Sequence, residues 1–310
     1  MSTLRFCLFG KFTVNCTQEL LTEFHVQKVQ ELLCYLLLHR DRAHNRELLA
    51  DLLWNNAETP YPKKYLRKTL WQLQRALDSI ACTSSNCILS VDPQWIQIKK
   101  NSEIWLDTSI FEGTYASIRG KRGRDLSHQE YQNAQDAVNL YKGDLLEGWF
   151  QDWCIYNRER FREIYMVMID KLMGYCEAND NYELGIEFGE MILGYDRARE
   201  RTHQRIMRLH YLAGNRSAAL RQFESCRNSL NEELGVEPSN STMILVNQIA
   251  NDNLQKEHES IVKANNSTSK SLMNHLHQRL RRLERLVEVQ SALQENIINE
   301  IHEIERHLNQ

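Results

Sequence analysis

Apolar and polar positions alternate in two different rhythms along this chain. Residues 4–14, from Leu4 through Phe6, Leu8 and Phe12 to Val14, predict two short strands around a turn at Gly10-Lys11. Val26 to Leu38 reads as an apolar helix, and Arg46 to Leu53 as a second, with Asn45 as its N-cap. Pro60 and Pro62 suit the entrance of a third helix, which runs to about Asp78. Ile88 to Val91, Asp92-Pro93-Gln94 and Trp95 to Lys99 predict a β-hairpin. Three helices, flanked by small strands and closed by a hairpin, give the element order of a winged helix-turn-helix over residues 1–106.

From about Asp107 to residue 256 the pattern is helical throughout, with breaks expected at Gly120–Arg124, Gly143–Gly148, Asn179–Asn181, Gly214–Asn215 and Gly235–Pro238. Gly185-Ile186 and Ala219-Leu220 follow turns at the same phase, 34 residues apart, and Leu172-Met173 and Ile206-Met207 repeat the interval one helix upstream. That is the tetratricopeptide period, in which a small residue lets neighbouring helices pack closely. Such arrays offer binding surfaces. Residues 257–270 form a polar linker. Residues 271–310 form one long helix with a heptad stripe, Leu276, Leu280, Leu283, Val287, Gln290, Gln294, Ile297, Ile301, Ile304 and Leu308. Leu286 and Leu293 widen the stripe, so a coiled coil and a docked amphipathic helix both fit. The fold class expected is mainly α with small β elements: a winged helix-turn-helix, a tetratricopeptide-like helical domain and a long C-terminal helix.

Composition agrees with long helices. The 310 residues include only 12 Gly and 4 Pro. The longest apolar run, Leu32 to Leu38, is too short to span a bilayer, and the N-terminus lacks the features of a signal peptide. A cytoplasmic, nucleoid-associated protein without a membrane partner is expected, with its eight scattered cysteines reduced. The net charge of −3 conceals a division: residues 1–100 carry +4, residues 101–260 carry −8 and residues 261–310 carry +1. A basic first third on an acidic body points to an anionic partner at the N-terminal end.

No constellation for catalysis, cofactor or metal is legible. The chain contains no G-x-x-x-x-G-K-[ST], G-x-G-x-x-G, H-E-x-x-H or G-x-S-x-G. His275, His277, His302 and His307 lack a convergent ligand set. An enzyme is not expected.

The third helix carries the chemistry. Leu66, Leu70, Leu73 and Leu77 form its buried stripe; Lys64, Lys68, Trp71 and Arg75 lie opposite, flanked by Lys63 and Arg67. Five cations on one helix otherwise read as an ordinary solvated face. Position favours more, because this helix of a winged helix-turn-helix enters the major groove. Lys63, Lys64 and Lys68 suit phosphates. Arg67 and Arg75 suit bidentate contact with guanine, and Gln72 suits adenine after a small rotation. Trp71 suits sugar or thymine methyls, or a role covering the second helix. Lys99 and Lys100, at the foot of the hairpin, suit a flanking phosphate. The hairpin tip is not basic, which argues against a wing in the minor groove.

These residues resemble the SARP-type transcriptional activators, an OmpR-like winged helix-turn-helix followed by a bacterial transcriptional activator domain (BTAD). The similarity spans roughly residues 3–255. It is carried by Leu4 to Phe12, Arg46 to Trp54 and Leu66 to Leu77, and by Tyr141-Lys142-Gly143-Asp144-Leu145-Leu146-Glu147-Gly148 and Glu233-Leu234-Gly235-Val236-Glu237-Pro238-Ser239. The resemblance implies binding to double-stranded promoter DNA, dimers on direct repeats, and activation through RNA polymerase. The family's basic pair at the start of the first helix stands here as Gln27-Lys28. The terminal helix has no counterpart in the family pattern and is expected to dimerise or to hold a partner. The competing reading is a protein-interaction adaptor whose winged helix is vestigial.

Overall fold

The computed structural model describes residues 4–16, 19–20, 24–54, 61–80, 85–99, 102 and 104–253. Strands β1 (Leu4–Cys7) and β2 (Thr13–Cys16) pair antiparallel, with Phe6 opposite Val14. Gly10, at φ 78°, takes the left-handed turn conformation that an L side chain resists. β3 (Glu19–Leu20) extends one edge. The other edge is taken by β7 (Ile104–Leu106), parallel to β1, so the order is β3-β2-β1-β7. The parallel edge strand is an addition to the pattern read from sequence.

Helix α1 (Gln27–Leu38) buries Val29, Leu32, Leu33, Leu36 and Leu37. α2 (Arg46–Leu53) starts where expected: the Asn45 Oδ1 accepts from the Glu47 and Leu48 amides at 2.9 and 3.4 Å. α3 (Pro62–Asp78) has Pro62 in its first turn and buries Leu66, Leu70, Leu73 and Leu77 as the stripe predicts. After the single turn α4 (Ser85–Ile88), β5 (Leu89–Val91) and β6 (Trp95–Ile98) form the hairpin, with Val91 opposite Ile96. β4 (His44–Asn45) joins its outer edge. Ile96 and Ile98 face the core, and Trp95 faces outward.

The rest is helical: α5 (Asp107–Ile118), a 3-10 turn at Gly123–Asp125, α6 (His128–Leu140), α7 (Asp152–Ala178), α8 (Tyr182–Tyr195), α9 (Glu200–Leu212) and α10 (Arg216–Leu234). A capping box between Ser127 and Glu130 fixes the start of α6. The 34-residue interval corresponds to the antiparallel pairs α7/α8 and α9/α10. Gly185 and Ala219 are the buried small residues of their second helices, and Leu172, Met173, Ile206 and Met207 are all buried. A Cβ on Gly185 would meet Leu209 Cδ1 at 3.0 Å and Cys176 Cβ at 3.4 Å, so the close approach there is real. Gly235, at φ 65°, ends α10 in the left-handed conformation, and its amide donates to the Asn231 carbonyl. One further break, Asp196 to Arg199, separates α8 from α9. It contains no glycine or proline and left no signal.

The winged helix and the helices after it, within residues 1–237, are fastened through β1 and the loop that follows it. The buried Asp107 carboxylate, at the start of α5, accepts from the Leu8 and Phe9 amides at 2.7 and 2.9 Å. Phe9 packs against Phe111, Tyr141 and Phe161, with ring centroids 4.8 to 5.3 Å apart. The segment Tyr141–Gly148 runs beside the turn at Gly10: the Gly10 amide donates to Asp144 O, the Leu146 amide to Leu8 O and the Glu147 amide to Gly10 O. Arg158 holds the far side of that segment by donating to the carbonyls of Leu145, Leu146 and Trp149. The motif is thus a docking loop for the N-terminal sheet.

The chain divides into two compact units, residues 1–237 and residues 238–310. In the second unit, α11 (Asn240–Ala250) follows Ser239, whose hydroxyl lies 2.9 Å from that of Ser241. The 257–270 linker and the 271–310 helix lie outside the described residues. One expectation is corrected. Cys16 is disulfide-bonded, whereas Cys7, Cys34, Cys154, Cys176 and Cys226 are free thiols. Spacing along the chain carries no information on such a pairing.

Candidate nucleic-acid interface

The outward face of α3 is built by its own buried stripe. Four leucines fix the rotation of the helix against α1 and α2, which leaves Lys63, Lys64, Arg67, Lys68, Trp71 and Arg75 exposed together. Gln72 is half-buried at the margin of that face. Lys99, after the last strand of the hairpin, is exposed, and its amide donates to the Ile88 carbonyl at 2.7 Å. Lys100 lies outside the described residues.

Two members of the face are already engaged. Lys63 donates to Glu47 Oε1 on α2 at 2.5 Å, and this contact raises the lysine pKa. The pair is exposed on both sides, so it is a weak restraint that a phosphate can displace. The Arg75 guanidinium lies over the Trp71 indole, 5.1 Å from its centroid. Trp71 is 55% exposed, so covering the second helix is not its main contact.

The hairpin is tied to the start of α2. The Arg46 amide donates to Gln94 O at 2.9 Å, and its guanidinium to Asp92 O at 3.0 Å. The Asp92 carboxylate turns inward on the tip, accepting from the Gln94 and Trp95 amides at 2.9 and 2.7 Å. Arg46 and Glu47 both shape this surface, and neither was a sequence-level candidate. Glu47 is an anion on a short amphipathic helix, and nothing local in the sequence marks it as facing Lys63.

Lys28 is committed internally. It donates to Glu31 at 2.6 Å and to the Leu53 carbonyl at the end of α2 at 3.0 Å, and it lies over Trp54. Glu31 is buried and also accepts from Gln151 Nε2 at 3.0 Å. Lys28 therefore braces α1 against α2 and is not offered to a ligand.

Among the described residues, no group of three or more His, Cys, Asp or Glu side chains is arranged to hold a metal ion. No described helix is long and apolar enough to cross a membrane.

Residues 106–250 match the family model described as bacterial transcriptional activator domain, BTAD. No curated protein matches the chain. Among solved structures, the chain is similar to a Mycobacterium tuberculosis EmbR chain, solved in complex with a low affinity phosphopeptide. The TM-score is 0.58 at 16% identity, over 81% of this chain and 66% of that one. This chain thus spans just under two thirds of the EmbR chain, and the likeness establishes the fold: a winged helix-turn-helix joined to helical repeats.

Proposed function

We propose, from the premise that this chain is a SARP-type transcriptional regulator carrying a BTAD, that it activates transcription by binding promoter DNA through its winged helix. The observation that carries the reading is the exposed cationic face of α3, with Lys64, Arg67, Lys68 and Arg75 on the helix that such a fold presents to the major groove. Lys63, Lys64 and Lys68 supply the salt-dependent attraction to phosphates. Arg67 and Arg75 are the base readers, with Gln72 at the edge of the contact. Lys99 and Lys100 add a flanking phosphate contact. The helical repeats contact RNA polymerase or regulatory partners, the 271–310 segment supports homodimerisation, and the protein works on the nucleoid in the cytoplasm. No cofactor takes part, and no catalytic step is assigned.

Selection of fragments from the genomic DNA of the host tests this. Enrichment of a defined site supports the reading. Failure to bind any fragment overturns it and favours an adaptor that works through the repeats alone.

A further inference from the structure

Trp71 poses a physical question that the cationic face does not answer. A large apolar ring more than half exposed on a helix gains little from burial, and its neighbours on that face are lysines and arginines. Among the described residues its one specific partner is Arg75, one turn further along α3, whose guanidinium carbon lies 5.1 Å from the ring centroid. That spacing is within the range of a cation–π contact, and position i+4 places the two side chains one above the other. No ion pair to Arg75 is formed among the described residues.

We infer that Trp71 is a positioning residue for Arg75: the indole holds the guanidinium plane in one orientation before DNA arrives, and so sets the base preference at a single base pair. The inference rests on the DNA-reading role of α3 proposed above. An unrestrained surface arginine occupies many rotamers and loses that freedom when it forms a bidentate contact. A guanidinium stacked on a ring has lost part of it already, so less is lost on binding. The planar fork also keeps its five donors while stacked, because the ring takes the face of the guanidinium and leaves its edge open. The pair therefore presents a preoriented edge of donors, of the geometry that guanine O6 and N7 accept. Lys64, Lys68 and Arg67 have no such support from an aromatic ring among the described contacts. This distinguishes Arg75 from the other cations of the face as the residue whose specificity depends on a neighbour.

The experiment is a binding-site selection on the full chain, with each base pair of the enriched site then varied in a mobility-shift assay. Wild type, Arg75→Ala, Trp71→Ala, Trp71→Phe and the double variant Trp71→Ala/Arg75→Ala are compared at fixed salt. Arg75→Ala is expected to reduce the preference at one base pair by about tenfold. Trp71→Ala is expected to reduce preference at that same base pair by about threefold. It leaves the other positions and the salt slope as in wild type. Trp71→Phe keeps most of the preference, and the double variant is no more relaxed than Arg75→Ala. Because Trp71 is exposed, the unfolding midpoint of each variant should match wild type, which separates positioning from a folding role.

Three results would overturn the inference while leaving DNA reading intact: an unchanged preference in Trp71→Ala, relaxation at a different base pair, or a Trp71→Phe variant as relaxed as Trp71→Ala. Loss of every base preference in the wild type would remove the DNA-reading role itself, and this inference with it.

Discussion

Two single residues carry charges whose surroundings make measurable predictions. Glu47 holds Lys63 in an exposed ion pair at the start of the cationic face of α3. Glu47→Gln removes the anion and frees the lysine for phosphate. The log–log dependence of DNA affinity on salt should steepen by up to about 0.9, because Glu47 no longer competes with phosphate for Lys63, and the Glu47→Gln/Lys63→Gln variant should lose that gain. Mobility shifts at several salt concentrations measure it. Asp107 is the second. Burial pushes its carboxyl up to about 6, against the Leu8, Phe9 and Thr108 amides that favour the anion. A folded-state pKa above the unfolded value near 3.8 means that the native state binds the proton more tightly. This contribution to stability is present below about pH 4, is lost as pH rises to about 6, and is flat above. Denaturant unfolding of wild type, set against Asp107→Asn across that window, should show this decline in wild type only. Asp107→Ala leaves the buried Leu8, Phe9 and Thr108 amides without that acceptor and should cost about 3 kcal/mol at pH 7.

At the scale of elements, glycines test the packing of the helical repeats. A Cβ on Gly123 would lie 2.2 Å from the Lys171 carbonyl oxygen and 2.8 Å from Gly174 Cα, both backbone atoms of α7. Gly123→Ala should therefore destabilise by about 3 kcal/mol, since neither neighbour can swing away. Gly113 in α5 and Gly194 in α8 face open space. Alanine at either should stabilise by about 0.5–1 kcal/mol through helix propensity alone. Thermal unfolding of the three variants decides between these opposite signs. The same elements show what the sequence discloses. α2 and α3 are legible to the residue because their signals are local: an asparagine cap, a proline at the first turn and a leucine stripe every three or four positions. β7 is not legible, since Ile104-Trp105-Leu106 becomes a strand only by pairing with β1, about a hundred residues away. The break at Asp196–Arg199 is hidden because polar residues end that helix without glycine or proline.

For the whole chain, the net charge of −3 describes neither end: a cationic helix face is carried by a basic winged helix, and the acidic helices follow. The exposed cationic face of α3 was legible in type and position, because periodicity alone sorts Lys64, Lys68, Trp71 and Arg75 away from the leucines. Its internal contacts were not. Glu47 meets Lys63 across sixteen residues, and Lys28 turns inward to Glu31 and Leu53, through tertiary packing that no local pattern encodes. The docking loop Tyr141–Gly148 was legible as a motif, while its purpose, to hold the N-terminal sheet through Leu8, Phe9 and Gly10, appears only in three dimensions. The most direct measurement of the central claim is a mobility-shift titration of the full chain with its own upstream DNA, repeated across salt for wild type and Arg67→Ala/Lys68→Ala. Loss of two phosphate-facing or base-facing cations should weaken binding and flatten the salt slope by up to about 1.8. A variant with unchanged affinity and unchanged slope would contradict the assignment of α3 as the DNA-reading helix.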